Sequence, residues 1–237
     1  VAATSLERYL GNLYRLLGLR RTYARKKVVK EEKTAPKAVA GAFLDDAMRE
    51  ALSPVLARFE KPLLLRVSSD GTLLADEAES LVRELASLSD TLSYEVVREG
   101  NPDVTISICS AEGKDLGLRF HGVPGGHEFN SFILALYNAA GPGQDVGETL
   151  QQRIEGISRD IHIDIAVSLS CTMCPDLVVA AERIAADNDH VSVDVYDLAH
   201  YPDMQKKYNI MSVPCLIMYG NTYFNKKNLE QLLQIII

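Results

Sequence analysis

The chain of 237 residues has no long apolar run, few cysteines and no excess of positive charge. Each absence closes off a class of protein. No stretch approaches the roughly eighteen apolar residues of a transmembrane helix. The opening VAATSLERYLGNLYRLLGLRRTYARKK lacks the basic, apolar, small-residue order of a secretory signal. The chain therefore reads as cytosolic, with no membrane partner. A net charge of −7 argues against broad nucleic-acid binding, which depends on clustered lysine and arginine. The local basic run (Arg15, Arg20, Arg21, Arg25, Lys26, Lys27, Lys30 and Lys33) has no aromatic platform beside it, and reads as a solvated helix end and linker. Four cysteines in so long a chain are too sparse for a disulfide-stapled secreted scaffold, and point instead to catalysis or metal. What remains, 47% hydrophobic and 24% charged, is an ordinary globular composition able to fill a core.

Periodicity organises the chain into three parts. Leu6, Leu10, Leu13 and Leu17 recur at helical spacing, and a basic, polar stretch from Arg20 to Lys37 follows, so 1–38 is expected to be a helix and linker. From 39 to 143 the pattern gives a helix over Val39–Phe59, with Pro54 a bend in it, and then a strand in LLLRV. A helix over Asp76–Leu88 comes next, then strands at Leu92–Val97, Val104–Cys109 and Leu116–Phe120, and a helix over Glu128–Ala139. GPGQ, Gly141–Gln144, marks a seam. From 144 to 237 come a helix near Glu148–Ile157 and the strand-type run IHIDIAVSL. A helix over Pro175–Ala186 with Leu177, Ala181 and Ile184 buried precedes a strand at Val191–Tyr196 and a short helix over Pro202–Tyr208. Strands at Cys215–Tyr219 and Thr222–Phe224 and a final helix close the chain. The two halves share one plan, each with a proline entering a β-ribbon (Pro102, Pro214) and a closing helix, which is a repeat of architecture rather than of residues.

SLSCTMCPDL, Ser168–Leu177, carries the chemistry. A Cys-x-x-Cys pair is by itself a redox couple, half a metal site or two small core residues. Cys171 falls between a strand end and a helix start, where Pro175 suits the first turn because its missing N–H costs nothing. Unpaired N–H groups and the positive end of the helix dipole stabilise a thiolate there, which makes Cys171 the nucleophile. Cys174, one turn on, is placed to attack a mixed disulfide at Cys171 and release the reduced partner. A structural zinc site needs four ligands, whereas Cys109 and Cys215 stand alone in different halves, so no metal is expected. His127, His162, His190 and His200 show no ligand-like spacing, and Cys109 and Cys215 read as buried strand residues.

SCTMCPDL followed some forty residues later by SVPC resembles the thioredoxin fold. The resemblance implies that Pro214 is cis and lies against the cysteines, that the backbone of Val213 binds an extended partner segment, and that Thr172 and Met173 touch the partner too. The tandem plan, with cysteines paired only in the second half, and RFHGVPGGHEFNSFILAL, Arg119–Leu136, are similar to the N-terminal domain of the alkyl hydroperoxide reductase flavoprotein and to protein disulfide oxidoreductases. The expected fold class is α/β, two fused thioredoxin-like folds with mixed central sheets. In the first half SSDG, Ser68–Gly71, stands where the cysteines would be. The aspartate that thioredoxins bury beneath the active site is replaced by Ile165, and the resemblance implies that Glu128 serves instead as proton acceptor for Cys174.

VAATSLERYLGNL is similar to the last helix of the thioredoxin reductase family, and the chain begins at Val1 rather than methionine, so a piece of a longer flavoenzyme is expected. No Gly-x-Gly-x-x-Gly follows a strand, so FAD and NAD(P)H are expected on an upstream or partner module rather than on this chain. The leading expectation is a thiol–disulfide oxidoreductase relay that takes electrons from a thioredoxin-reductase-like flavoprotein and passes them to a peroxiredoxin or another disulfide protein. The alternatives are a free-standing disulfide oxidoreductase or isomerase, and a noncatalytic metal-binding or docking module.

Overall fold

The computed structural model describes Arg15, Leu17, Gly18 and residues 43–69, 71–98 and 103–237. The expected opening helix and linker lie outside these residues, apart from Arg15, Leu17 and Gly18. The Leu17 side chain is the one packed into the core, and Arg58 donates a hydrogen bond to the Leu17 carbonyl.

In chain order the elements are α1 (Asp46–Leu56), β1 (Leu63–Ser68), α2 (Leu73–Ala86), β2 (Leu92–Val97), β3 (Thr105–Ser110), β4 (Asp115–His121), α3 (Glu128–Ala140) and α4 (Glu148–Glu155). They continue with β5 (Ile161–Val167), α5 (Cys174–Asp187), β6 (Val191–Asp197), α6 (Pro202–Lys207), β7 (Cys215–Met218), β8 (Asn221–Phe224) and α7 (Leu229–Ile236). Local chemistry sets the boundaries. The helix expected from Val39 is described from Asp46, because the Asp45 carboxylate accepts the Met48 N–H at 2.7 Å and caps it there. Pro54 sits in its last turns, and the helix ends two residues later. Thr72 caps α2, Pro175 occupies the first turn of α5, and Asn228 with Gln231 forms a capping box on α7.

The eight strands form one sheet in the order β2-β1-β3-β4-β6-β5-β7-β8. The two fused halves join in this sheet: β4 pairs in parallel with β6, Leu118 opposite Val193 through His121 opposite Tyr196, so the halves share backbone hydrogen bonds. Alternation along β5 explains how this sheet is dressed. Ile161, Ile163, Ile165 and Val167 face a continuous apolar core shared with α2, α3, α5 and α7, whereas Ala166 faces a smaller cluster with Cys215, Ile210 and Met204. Helix α3 packs directly against α5. That contact brings the first half of the chain against the loop that carries the cysteines.

At the seam, Asp194 of β6 is 4% exposed and is held from β4 by Arg119 Nη1 at 2.9 Å and His121 Nε2 at 2.6 Å. The His121 ring stacks on Tyr196 at 3.9 Å between centroids, and its Nδ1 meets Thr105 Oγ1 at 3.0 Å. Burial pushes the Asp194 carboxyl up, but the His121 hydrogen bond and the charges of His121 and Arg119 hold it below its ordinary range.

Candidate active site

Strand β5 delivers the chain to Ser168–Met173, and α5 begins at Cys174. The Cys171 N–H turns back onto the Ser168 carbonyl at 2.9 Å, folding the loop so that Cys171 and Cys174, with Cα atoms 5.6 Å apart, are joined as a disulfide. Burial distinguishes the two sulfurs. Cys174 is fully buried under the first turn of α5, Cys171 is half-buried, and Thr172 and Met173 between them are exposed, Met173 by 47%. Cys171 is therefore the more accessible of the two sulfurs.

The loop before β7 forms the opposite wall. Val213–Pro214 is a cis peptide, Pro214 is buried, and the Val213 carbonyl oxygen lies 3.8 Å from Cys171 Sγ. Met211, two residues before Val213, is 77% exposed. Asp176 in the first turn of α5 would oppose a thiolate, but Lys226 pairs with it at 3.2 Å.

Glu128 opens α3 after the turn Gly125–Gly126–His127, and this turn sits on the cysteine loop. The His127 N–H donates to the Leu169 carbonyl at 3.0 Å, and a Cβ on Gly126, at φ +52°, would come within 2.3 Å of the same oxygen. Only glycine fits there. The Glu128 side chain is 0% exposed and neither carboxyl oxygen has a hydrogen-bond partner. Burial is the larger influence and raises its proton affinity to a pKa of about 7, with the Ser131 hydroxyl, one turn on, acting the other way. Ile165, at the position where thioredoxins bury an aspartate, is fully buried in the core.

Cys109 and Cys215 are free, fully buried strand residues whose thiols are pushed up by burial. Contrary to the spacing argument, one histidine does join carboxylates: His162, Asp164 and Asp194 bring ligand atoms within 4.8 Å of one another. Strand pairing, with Asp164 opposite Asp194, creates this group. Its atoms already bond within the protein, Asp194 to Arg119 and His121, and His162 to Ser192 at 2.9 Å and Asp164 at 3.1 Å. Sequence reasoning misses His121, Asp194 and Glu182. The legible signal for Glu182 is a charged pair, Glu182–Arg183, inside the apolar run VVAAERIAA.

Comparison with known proteins gives consistent relationships. A thioredoxin-domain model matches residues 161–234, the segment holding the cysteines and Pro214. The AhpF-type alkyl hydroperoxide reductase of Xanthomonas campestris pv. phaseoli is 31% identical over 80% of this chain, which spans 36% of that relative's length. The protein disulfide oxidoreductase of Aeropyrum pernix superposes with a TM-score of 0.68 at 18% identity, over 81% of this chain and 91% of its own, a likeness of fold. The NTD_N/C domain of alkylhydroperoxide reductase AhpF from Enterococcus faecalis is 31% identical with a TM-score of 0.77, and the match covers 82% of this chain and all of that domain. With the whole of that domain matched at this identity, the chain belongs to the family of the AhpF N-terminal domain.

Proposed function

We propose that the chain is a dithiol–disulfide relay module, with Cys171 as the entry sulfur and Cys174 as the resolving one. The observation that carries this reading is the disulfide itself, at a strand-to-helix junction with one half-buried and one sealed sulfur. A donor thiolate attacks Cys171, and the sulfur–sulfur bond breaks. Cys174 then leaves as a thiolate that takes a proton from Glu128, and the donor's second thiol releases Cys171. Oxidation by an acceptor disulfide runs the same steps backwards. Thr172, Met173, Val213 and Pro214 form the wall against which the partner segment lies, the Val213 backbone supplying hydrogen bonds.

The domain plan follows this division of labour: 39–143 is a thioredoxin-like fold without a cysteine pair that contributes Glu128, and 144–237 is the redox-active one. Electrons arrive from a thioredoxin-reductase-like flavoprotein module carrying FAD and NAD(P)H, in the same polypeptide or a partner, and leave to a peroxiredoxin or another disulfide protein. Relatives named as AhpF-type alkyl hydroperoxide reductases support this direction. The cytoplasm, where thiols are kept reduced, is the compartment that suits such a relay. Among the described residues no helix is long and apolar enough to cross a membrane. The test is rapid-mixing reduction of the oxidised chain by NADPH and a thioredoxin-reductase-type flavoprotein, followed by transfer to an oxidised peroxiredoxin. Transfer that disappears in Cys171→Ser supports the relay, and NADPH consumption without thiols appearing at Cys171 and Cys174 contradicts it.

A further inference from the structure

The most exposed residue with sulfur in the cysteine loop is not a cysteine. Met173 is 47% exposed, whereas Cys171 is half-buried and Cys174 is sealed. Of the five methionines in the chain, Met48 and Met218 are buried and Met204 is half-buried, so solvent reaches Met173 and Met211 most freely. Met173 stands immediately before Cys174 at the start of α5, where its side chain makes no capping hydrogen bond. Two peptide units separate it from Cys171, which keeps their Cα atoms within about 7.6 Å of each other. The Cα atoms of two disulfide-bonded cysteines lie about 5.5–6 Å apart, so a partner chain bonded to Cys171 passes within a residue or two of Met173.

An exposed thioether is apolar, polarizable and open to oxidation. We propose that Met173 is a modification site for hydroperoxides, and that its sulfoxide stops protein partners from docking at Cys171 while leaving the disulfide chemistry intact. This rests on the reading of Cys171 as the entry sulfur for a protein partner. The Met173 sulfur attacks the terminal oxygen of the hydroperoxide, the oxygen–oxygen bond breaks, and the proton of the transferred oxygen moves to the leaving oxygen. Sulfur loses two electrons and becomes the sulfoxide, and the hydroperoxide is reduced to an alcohol, or to water from hydrogen peroxide. In the oxidised chain no thiol competes at this loop, because Cys171 and Cys174 are joined, and Cys109 and Cys215 are fully buried. The new oxygen is strongly polar, and covering it without a donor is unfavourable, so a partner that lies over Met173 binds less well. A small thiol needs no such cover and reaches Cys171 as before. Methionine sulfoxide reductases reverse the change, which makes the site a brake that peroxide applies to the relay and reduction lifts.

The test exposes the oxidised full chain to hydrogen peroxide, removes the excess with catalase, and locates added oxygen by peptide mass spectrometry. Oxygen should appear at Met173 and Met211 well before Met48 and Met218. Two rates are then compared before and after peroxide: reduction of the disulfide by dithiothreitol, and electron transfer from the reduced chain to an oxidised peroxiredoxin. Transfer to the protein should fall about tenfold or more, the dithiothreitol rate should hold, and methionine sulfoxide reductases should restore transfer. Met211→Leu should lose transfer on peroxide treatment as wild type does. Met173→Leu should keep whatever rate it shows untreated. Met173 left unmodified where Met211 is oxidised, full transfer by the Met173 sulfoxide, or a loss that persists in Met173→Leu would each overturn the proposal. An equal slowing of dithiothreitol reduction would place the damage at the disulfide and overturn it too. Untreated chain that neither accepts electrons from a thioredoxin-reductase-type flavoprotein nor passes them to a peroxiredoxin would remove the underlying reading, and the proposal with it.

Discussion

The amide of His127 donates to the carbonyl of Leu169 at 3.0 Å, and through that bond the first half of the chain grips the loop that ends in Cys171. The residue before the donor, Gly126, has no room for a side chain against the same oxygen. Gly126→Ala must therefore shift either the turn carrying Glu128 or the cysteine loop. A destabilisation of about 2 kcal/mol or more is expected from the left-handed backbone and the clash together. Denaturant unfolding reads the loss, and thiol–disulfide exchange should slow in the surviving native protein. An alanine variant as stable and as fast as wild type would show that the contact is dispensable.

Glu128 makes stability depend on pH in a defined window. Its folded value of about 7 lies above the ordinary 4.5, so between these values the native state keeps a proton that the unfolded chain has lost. Stability should fall as pH rises through that window and level off above it, by about 3 kcal/mol in all, since each unit of pKa difference is worth roughly 1.4 kcal/mol. Glu128→Gln has no such charge to bury and should lack this part of the slope. Parallel stability profiles for the two proteins would place Glu128 in a wetter site than the structure gives it.

The unequal burial of the sulfurs predicts unequal chemistry. Cys174→Ser should accumulate a stable mixed disulfide at Cys171, visible as an added partner mass, because the resolving thiol is gone. Cys171→Ser should accumulate little, since Cys174 is fully buried. Equal trapping by both variants would contradict the assignment of entry and resolving roles.

Asp194 joins the halves by accepting from Arg119 and His121 across the β4–β6 seam. Asp194→Ala leaves two donors facing a buried gap and should cost about 3 kcal/mol. Because the carboxyl is held below its ordinary range, its contribution is present at neutral pH and lost as pH falls through that lowered value. Asp194→Asn should flatten the acid limb of the stability curve, and calorimetry of the two proteins across that limb checks it.

The strands are legible in the sequence because alternation is a local property. The bounds Leu92–Val97 read from the pattern are those of β2, and the Ile161, Ile163, Ile165 alternation announces a strand with one dry face. The cysteine pair is legible for the same reason, four residues spanning a strand end and a helix start. What the sequence does not reveal depends on pairing between distant segments. Nothing local in RFH or VDVYD says that β4 lies beside β6, so the single sheet, the His121–Asp194 seam and the gathering of His162 with Asp164 and Asp194 are invisible in it. Glu128 is found by resemblance, not by pattern, since a glutamate at a helix start ordinarily faces water. Its burial comes from helix α5 packing against α3, which is a tertiary fact. Glu182 stands in an apolar run, which offers a local hint of a buried acid.

The central claim is that Cys171 and Cys174 interconvert as a two-electron couple while the rest of the chain stays put. Equilibration of the protein in graded thiol–disulfide buffers, followed by acid quench, alkylation and peptide mass spectrometry, tests it most directly. A single two-electron transition confined to Cys171 and Cys174, with Cys109 and Cys215 reduced throughout, is the predicted result. Thiols at Cys171 and Cys174 that stay alkylatable across the whole range, or that are protected by one bound zinc per chain, would contradict it.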